Sequence, residues 1–520
     1  MNSILTNLQL ALDGLAEGLV VDVHAASGTP IDYISESGEL VNGTVVTTDA
    51  ERPSVLAFDG IGEYFSLNNA VAALSGLAAG TVQARFKTTA EAVGSSQAIM
   101  GLSDQSSNTF FTVFVRGSGF GTLRVMLRQA GTTLVEWEST DRFDDGAWHD
   151  VQVVVSGSGT VVYIDGVVAT GSFASGGSSI DVFFDELTAL NDFSIGRLVY
   201  DNSGPTAIQA DQLLVDRVRI WSEALDAEQL AYSQIRHVVV PLLGQSNMLG
   251  RDTSGISSIL DDPSPWVKQL IRSAGSDDST IGEAAHPLDH VDPFANTVGL
   301  GLELGKAIRT RVAGIDSGAL SVVLVPAAHG GTGFDSGEWQ IGGLAYIDAV
   351  ARVNAAIALG GVHVLTAWHQ GESDTGSVAE AASHANGFAA FIESYRSMLT
   401  NDGLGSHGDR PFVAGELLRS LSPVSYPEQD AVQAQINAVS ALEGVGIAKS
   451  VGLSSLGDDL HFDSQSLRVL GLRYYAAWTA LLESGEQSDL LRASLLDGEQ
   501  LKPGLLQSDG SLKPSLLRAS

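Results

Sequence analysis

The sequence predicts a multidomain protein in which an all-β sandwich precedes an α/β domain with a parallel sheet. Its 520 residues exceed what one hydrophobic core usually organises. Residues 19–235 contain short apolar or alternating segments separated by Gly, Ser and Asp clusters, which is typical of antiparallel strands. Residues 236–484 instead alternate strands that look buried with helical stretches, a pattern typical of a three-layer fold with helices on both faces of the sheet.

The two ends of the chain differ from these domains. Residues 1–18 are predicted to form a helical leader that packs on the next domain or mediates assembly. Its apolar side is formed by Ile4, Leu5, Leu8, Leu12 and Leu15. Residues 485–520 form a tail with an internal repeat, since LLRAS occurs at 490–494 and again at 516–520. The tail is predicted to be either a flexible extension or a segment that pairs with copies of itself in a homo-oligomer.

The composition excludes several classes of partner and cofactor. Asp and Glu outnumber Lys and Arg by 61 to 28, so the net charge of −33 disfavours nucleic acid and anionic membranes. No apolar run is long enough to span a bilayer. With no cysteine and no HExxH motif, we expect no catalytic metal and no cofactor. The excess of acidic residues either keeps the protein soluble or includes carboxylates of the sandwich that bind calcium.

Several segments of the predicted sandwich carry a family resemblance. They are AFDGIGEYFSL (57–67), GAWHDVQVVV (146–155), VVYIDGVVATG (161–171) and LLVDRVRIWSEALDAEQL (213–230). These segments resemble laminin-G-like domains, which are concanavalin-A-type jelly rolls. The resemblance implies a jelly-roll sandwich and a lectin-like role.

The α/β region is predicted to contain five strands and five helices. The strands are HVVVPLL (237–243), LSVVLVPA (320–327), VHVLTAWH (362–369), RPFVAGEL (410–417) and VGIAKSV (445–451). The helices are predicted at 298–312, 343–359, 380–400, 427–443 and 464–483. A long loop-rich insertion at about 251–296 follows the first strand.

Two motifs follow the first two predicted strands of this region. In GQSNM (244–248), Ser246 stands at the carboxyl end of a strand, where a side chain can project into a crevice. A serine in this position is most often only a turn former. PAAHGGTGF (326–334) follows the next strand, and its glycines allow backbone amides to approach a ligand closely.

Two further motifs follow later strands. In WHQGESD (368–374), Gln370 offers an amide donor suited to an anionic oxygen, and Glu372 and Asp374 are expected to accept hydrogen bonds from backbone groups. In DDLHFD (458–463), Asp458 stands three residues before His461, close enough to orient the imidazole and to stabilise its charged form.

Together the four motifs, each at a predicted strand end, resemble the SGNH hydrolase superfamily, which has a flavodoxin-like fold. They are most similar to its sialate O-acetylesterase and acetylxylan esterase-like branch, over residues 236–484. The resemblance implies a catalytic triad of Ser246 as nucleophile, His461 as base and Asp458 as the partner of the histidine. It also implies that the Ser246 amide contributes to an oxyanion hole.

The same resemblance assigns the remaining site residues. It implies oxyanion donors at the Gln370 side chain and at the amide of Gly330 or Gly331, between which the sequence does not choose. Glu372 would repel an oxyanion, so we expect it to hold Gln370 in place as a supporting residue. Asn247 is a second supporting residue.

The sequence therefore predicts a carbohydrate O-acetylesterase that acts on an acetylated polysaccharide or oligosaccharide. The missing signal peptide and the repeated tail favour an extracellular or virion-associated protein, such as a phage tail component. Two alternatives stay open. One is a non-enzymatic receptor-recognition protein that binds carbohydrate, and the other is a lipase or thioesterase of the same superfamily.

Overall fold

The structure is a computed structural model of the chain. It describes residues 4–16, 18–24, 31–32, 38–42, 45–47, 49, 55–60, 62–89, 94–200, 207–253, 255–272, 280–313, 315, 320–419, 422–497 and 500–501. Helix α1 spans Ile4–Ala16 and buries the five apolar side chains that were predicted to share one side. It packs against a later helix, Ala227–Ser233, and the Trp221 indole donates to the Leu15 carbonyl at 2.6 Å. The predicted N-terminal helix is confirmed, and it packs on the rest of the chain.

The next part of the chain is an antiparallel β-sandwich, as predicted. Its strands are β1 (Leu19–His24), β2 (Ile31–Asp32), β3 (Glu39–Val41), β4 (Val45–Thr47), β5 (Val55–Asp59), β6 (Tyr64–Ser66), β7 (Gly80–Thr89), β8 (Gln97–Ser103), β9 (Phe110–Val115), β10 (Thr122–Gln129), β11 (Thr132–Arg142), β12 (Asp145–Ser156), β13 (Gly159–Ile164), β14 (Val167–Val168), β15 (Gly171–Ser175), β16 (Asp192–Ile195), β17 (Arg197–Val199), β18 (Ala207–Gln209) and β19 (Asp211–Trp221). The short helix α2 (Val71–Leu74) precedes β7, and α3 (Ala227–Ser233) follows β19.

The strands form two large sheets. The first has the order β14-β13-β12-β7-β19-β1-β2, with β5 beside β19 and β4 beside β5. The second has the order β15-β11-β10-β9-β8-β16-β6-β3, and β17 pairs separately with β18. Strand β10 alternates buried and half-buried side chains, as a strand with one face on the core should. The apolar side chains of both sheets enclose one core, in which Phe86 and Phe111 are buried.

The α/β part follows directly. Its strands are β20 (His237–Gly244), β21 (Val267–Leu270), β22 (Ile281–Glu283), β23 (Ser321–Ala328), β24 (Gly361–His363), β25 (Thr366–His369), β26 (Phe412–Gly415) and β27 (Val445–Ala448). Its helices are α4 (Ser246–Leu249), α5 (Gly301–Val312), α6 (Leu344–Ala358), α7 (Val378–Met398), α8 (Gln429–Ala438) and α9 (Ser464–Leu495). The sheet order is β22-β21-β23-β20-β25-β26-β27, with β24 beside β20. One helical layer contains α5 and α9, and the other contains α6, α7 and α8.

The insertion at 251–296 differs from the predicted loop-rich segment. Strand β21 extends the sheet in parallel beside β23, and β22 pairs antiparallel with β21 at the edge. The sheet is therefore mixed at this edge and parallel elsewhere. The sequence of β21, VKQL, places two polar residues side by side, so it has no alternation of polar and apolar residues that would mark it as a strand.

Helix α9 is longer than predicted, since it continues to Leu495 and so enters the predicted tail. Two short strands, β28 (Leu496–Asp497) and β29 (Gln500–Leu501), pair with each other after it. The rest of the tail, including the second copy of its repeat, lies outside the described residues.

The sandwich and the α/β part are joined by apolar and ionic contacts. The hydrophobic cluster of the α/β part extends to α1, α3 and the sandwich residues Val154 and Trp221. Arg236 pairs with the buried Asp150 of the sandwich at 2.7 Å. No helix in the described part of the chain has the length and apolar character needed to cross a bilayer.

Candidate active site

The candidate site lies where parallel strands of the α/β sheet end. Ser246 follows β20, Gly330 and Gly331 follow β23, Gln370 follows β25, and His461 lies between β27 and α9. Since β20, β23, β25, β26 and β27 run parallel, their carboxyl ends share one edge of the sheet. This edge is the usual place for a ligand crevice in an open α/β fold.

A tight turn after β20 presents Ser246. Gly244 has φ of +125°, and a Cβ atom there would lie 2.0 Å from the His369 carbonyl oxygen, so only glycine fits. The Gln245 amide donates to that same carbonyl at 2.8 Å, which ties the turn to the end of β25. The turn places Ser246 as the first residue of α4.

The three residues predicted to act together lie in one hydrogen-bonded row. The Nε2 atom of His461 lies 3.0 Å from Ser246 Oγ. On the other side of the ring, His461 Nδ1 lies 2.6 Å from Asp458 Oδ2. This geometry lets the imidazole accept the serine proton while the carboxylate holds the ring in the required tautomer.

The Asp458 carboxylate is held by its own loop as well as by the ring. The amides of Leu460 and His461 donate to Asp458 Oδ1 at 3.0 and 2.8 Å. Burial acts to raise the Asp458 pKa, but these hydrogen bonds and that from the His461 ring outweigh it and hold the pKa below its usual value. Asp458 is therefore ionised at neutral pH.

A cavity of about 510 Å³ opens at Ser246 and His461. It is lined by Gln245, Ser246, Arg251, Phe294, Gly331, Glu372, Ser373, Tyr426, Leu460 and His461. Sequence reasoning did not identify Arg251, Phe294 or Tyr426. Arg251 could have been noticed, because it follows Ser246 by only five residues. Phe294 and Tyr426 lie in loops without a motif, so no local pattern marks them.

Of the two glycines offered as oxyanion donors, Gly331 lines this cavity and has φ of +73°. Gly330 packs against the Arg251 guanidinium, since a Cβ atom there would lie 2.4 Å from Arg251 Nη2. The cavity lining thus favours Gly331 over Gly330 as the donor, although both belong to one loop.

Gln370 is fully buried and does not belong to the cavity lining. Its Nε2 donates to Asp374 Oδ2 at 2.7 Å and makes a longer contact of 3.4 Å with the Thr332 carbonyl. Glu372 was expected to hold Gln370 in place, but Asp374 does so instead. The role of Gln370 as an oxyanion donor stays a prediction.

Glu372 and Asn247 support a different part of the site. Asn247 Nδ2 donates to Glu372 Oε1 at 2.6 Å and to the Leu460 carbonyl at 3.2 Å, and Asn247 Oδ1 accepts from the Phe462 amide at 3.0 Å. Burial acts to raise the Glu372 pKa, but the neighbouring His369 ring and the Asn247 amide hold it below its usual value. The pair therefore fixes the loop that carries His461.

Within the described ranges, no group of three or more His, Asp or Glu side chains is arranged to hold a metal ion. Calcium bound by the sandwich, one of the two explanations of the acidic composition, stays a prediction.

The α/β domain is similar to carbohydrate esterases. Residues 236–480 match the family model described as "Carbohydrate esterase, sialic acid-specific acetylesterase". Residues 59–231 match the "Concanavalin A-like lectin/glucanases superfamily" in its laminin-G form. The chain thus carries a domain of the sialic acid-specific acetylesterase family after a laminin-G-like domain, as the sequence resemblance indicated.

Known proteins are similar over the esterase domain. A probable carbohydrate esterase of Arabidopsis thaliana is 26% identical over 248 residues, which cover 46% of this chain and 88% of the relative. A solved structure from Arabidopsis thaliana is 25% identical, covers 47% of this chain and 98% of that one, and has a TM-score of 0.40. The crystal structure of NanS is 18% identical over 48% of this chain and 98% of its own, with a TM-score of 0.41.

Proposed function

We propose that this protein removes O-acetyl groups from carbohydrates through an acyl-enzyme formed on Ser246. The observation that carries the proposal is the row of Ser246, His461 and Asp458, with contacts of 3.0 and 2.6 Å, at the mouth of a cavity. The family match of residues 236–480 supports esterase chemistry on a carbohydrate.

In the first step His461 takes the Ser246 proton as Oγ attacks the acetyl carbonyl. The tetrahedral oxyanion is stabilised by backbone amides at Ser246 and Gly331, and one such donor contributes about 3 kcal/mol to the transition state. His461 then protonates the sugar oxygen as the ester C–O bond breaks. Asp458 keeps its negative charge throughout and stabilises the imidazolium.

In the second step water replaces the sugar oxygen. His461 accepts a proton from this water as it attacks the acetyl-Ser246 carbonyl, and a second tetrahedral intermediate forms. Its collapse releases acetate and returns the proton to Ser246 Oγ. The products are acetate and a carbohydrate with one free hydroxyl.

Turnover of p-nitrophenyl acetate, followed by acetate release from a panel of acetylated glycans, tests the proposal. Ser246→Ala and His461→Ala should each abolish both activities while the melting temperature stays near that of the wild type. Ser440→Ala removes an exposed hydroxyl outside the site and serves as the matched control. Full activity in either triad variant contradicts the proposal.

The acyl group is proposed to be short, because the resemblance is to acetylesterases. Acetate esters should be cleaved much faster than octanoate esters of the same alcohol. Equal or reversed rates would place the protein with the lipases and thioesterases instead.

For the sandwich we propose carbohydrate binding, which the match to the concanavalin A-like lectin superfamily supports. The full chain carrying Ser246→Ala should be retained on immobilised glycan after that glycan has been chemically deacetylated, because the sandwich and not the esterase site then holds it. Loss of binding on deacetylation contradicts this role. The extracellular or virion setting stays a prediction.

A further inference from the structure

A cavity of about 800 Å³ lies at the junction between the sandwich and the α/β domain. On the sandwich side it is lined by Trp148 of β12 and Tyr163 of β13. On the α/β side it is lined by the end of α6 and by the loop that carries Asn401. Ligand sites of proteins often have this volume and often lie between domains. The junction cavity therefore has the size and the position of a binding site.

The junction cavity is separate from the proposed active site. Strand β20 begins directly after Arg236, which lines the junction cavity, and it ends just before Ser246. Its 8 residues, at about 3.3 Å each, place the two sites roughly 25 Å apart at opposite edges of the sheet. The two cavities share no lining residue. A ligand in the junction cavity is therefore not the ester group that Ser246 attacks.

Every charged side chain that lines the junction cavity already has a partner of opposite charge or an imidazole partner. The pairs are Arg85 with Asp216 at 3.1 Å, Arg236 with Asp150 at 2.7 Å, Lys87 with Asp49 at 3.0 Å, Asp165 with His149 at 2.8 Å and Asp402 with Arg410 at 3.0 Å. A charged ligand would lose hydration in the cavity and would have to compete with these pairs. The lining therefore favours an uncharged ligand.

The polar groups that can still bind a ligand are uncharged. The Tyr163 hydroxyl has no hydrogen-bond partner among the residues that the structure describes. Asn401 accepts from the Gly403 amide at 2.9 Å through Oδ1, which leaves its own amide donors for a ligand. Gln234 reaches its two acceptors only at 3.4 and 3.5 Å. A phenol and two amides can both donate and accept, as the hydroxyl groups of a sugar do.

The aromatic part of the lining is held in place. Trp148 is half-buried, and its Nε1 donates to Asp49 Oδ1 at 3.0 Å. The guanidinium carbon of Arg85 lies 4.7 Å from the centre of the indole. Tyr163 adds a second half-buried ring to the same lining. Aromatic side chains offer an apolar face beside a polar group, which suits the C–H face and the hydroxyl rim of a sugar ring.

We propose that the junction cavity binds an uncharged oligosaccharide, held by the sandwich and the α/β domain together. This inference rests on the carbohydrate binding proposed for the sandwich, and it gives that role a site. Because the cavity and Ser246 lie at opposite edges of the sheet, the sugars bound here belong to a part of the glycan remote from the ester. The cavity thus anchors a glycan chain and does not select the acetyl group.

Isothermal titration calorimetry on the full chain tests the proposal. The probes are cellohexaose, xylohexaose, mannohexaose and maltohexaose, which carry neither acetyl groups nor charge, and at least one should bind with a Kd below about 1 mM. Ala147→Trp and Ala358→Trp each place an indole in the cavity, from the sandwich and from the α/β side, at exposed positions. Both should abolish the binding. Tyr163→Phe removes only the hydroxyl and should weaken binding about threefold or more.

Two controls accompany these variants. Ala390→Trp adds the same indole at an exposed position of α7 outside the lining, and it should bind the hexaose like the wild type. Hexagalacturonic acid has a similar length but carries charge, and it should bind at least tenfold more weakly than the best neutral probe. Melting temperatures near that of the wild type show that the variants are folded. If a tryptophan variant unfolds, Tyr163→Phe carries the test for the cavity.

Three results overturn the inference. They are the absence of binding for all four neutral probes, wild-type binding in a folded Ala147→Trp, Ala358→Trp or Tyr163→Phe variant, and equal or tighter binding of hexagalacturonic acid. Failure of the proposed carbohydrate role is seen separately, as a Ser246→Ala chain that is not retained on deacetylated glycan. If that chain is retained while the tryptophan variants bind like the wild type, the sandwich binds glycan at another site.

Discussion

Gln370 Nε2 donates to Asp374 Oδ2 at 2.7 Å within the loop that follows β25. The same carboxylate accepts hydrogen bonds from the amides of Phe334 and Asp335, each at 3.1 Å. Asp374 therefore joins the loop after β25 to the loop after β23, which carries Gly331. Because both side chains are fully buried, water does not compete for these bonds.

Gln370→Ala should lower both activity and stability. Asp374 loses a partner in a buried site, so the free energy of unfolding should fall by about 1–3 kcal/mol. The loop that carries Gly331 loses part of its support, and a small displacement of an oxyanion donor can lower kcat by about a hundredfold. Steady-state kinetics with p-nitrophenyl acetate and thermal melting measure the two effects.

A double-mutant cycle gives the control. Gln370→Ala combined with Asp374→Ala should lose less stability than the sum of the two single variants, because both remove the same hydrogen bond. A Gln370→Ala variant with a hundredfold lower kcat and an unchanged melting temperature would contradict the structural role and support Gln370 as an oxyanion donor.

The triad could be predicted from sequence because each of its motifs directly follows a strand or precedes a helix. Strand ends bring Ser246 and His461 to one edge of the sheet, although 215 residues separate them. The partners of Gln370 and Asn247 could not be predicted in the same way. The Asp374 carboxylate accepts a hydrogen bond from the Phe334 amide, which lies 40 residues earlier in the sequence. That contact depends on how two loops pack.

The strands and helices, too, could be predicted from sequence only in part. The strand β20 and the long helices were predicted, whereas β21 was missed because its sequence, VKQL, places two polar residues side by side and gives no periodic pattern. The packing partner of Arg251 could not be predicted from sequence either. Its contact with Phe294 bridges 43 residues of the insertion and depends on tertiary packing.

Asn247→Ala should lower kcat at least tenfold and also lower the melting temperature. Without the Asn247 amide, the Phe462 amide and the Glu372 carboxylate each lose a buried partner. An unsatisfied buried donor costs about 1–3 kcal/mol. The loop that presents His461 should then sample positions outside hydrogen-bond range of Ser246. Hydrogen exchange of the amides in 458–463 measures that loosening directly.

Glu372→Gln should lower kcat and the melting temperature as Asn247→Ala does, but by smaller amounts. A glutamine at this position still accepts from Asn247, but it loses the attraction between the carboxylate and the His369 ring, whose Nε2 lies 3.3 Å from Glu372 Oε1. Glu443→Gln, at an exposed position, is the matched control. If Glu372→Gln lost all turnover at unchanged stability, Glu372 would act directly in the chemistry.

Mild acid should destabilise the protein through His363. Burial lowers the pKa of His363 well below its usual value, and the neighbouring His407, with its Nδ1 3.3 Å away, lowers it further. The unfolded chain therefore takes up a proton below about pH 6.5, whereas the folded chain does not. Stability should fall as the pH drops from about 6.5 toward the folded pKa. Melting temperatures at pH 7.5 and 5.0 measure this loss, and His363→Gln should reduce it.

His149 should have the opposite effect on the pH dependence of stability and so serves as a control. Burial acts to lower its pKa, but Asp165 and Asp145 outweigh burial and raise the pKa above its usual value. Its contribution to stability is therefore fully present below about pH 6.5 and is lost as the pH rises through the folded pKa. His149→Gln should cost more stability at pH 5.0 than at pH 7.5. Equal losses at both pH values in either histidine variant would contradict the assignment.

Arg236→Gln should weaken the junction between the sandwich and the α/β domain. Arg236 Nη2 lies 2.7 Å from Asp150 Oδ2, and the Asp150 carboxylate is fully buried. Gln83 also donates to Asp150, at 2.9 Å, but it brings no charge. Removing one partner of a buried ion pair costs about 3–5 kcal/mol, because the other charge stays unpaired. The melting temperature at pH 7 should therefore fall clearly.

Adding Asp150→Asn to Arg236→Gln should restore much of the lost stability at pH 7, because the unpaired charge is then gone. Burial raises the Asp150 pKa even with Arg236 present, so protonation in mild acid should neutralise the carboxylate and shrink the defect of Arg236→Gln. Arg311→Gln removes an exposed arginine in the last turn of α5 and should change the melting temperature little. If Arg236→Gln melts like the wild type at pH 7, the ion pair does not couple the domains. The apolar cluster formed by α1, Trp221 and the α/β core would then carry the junction alone.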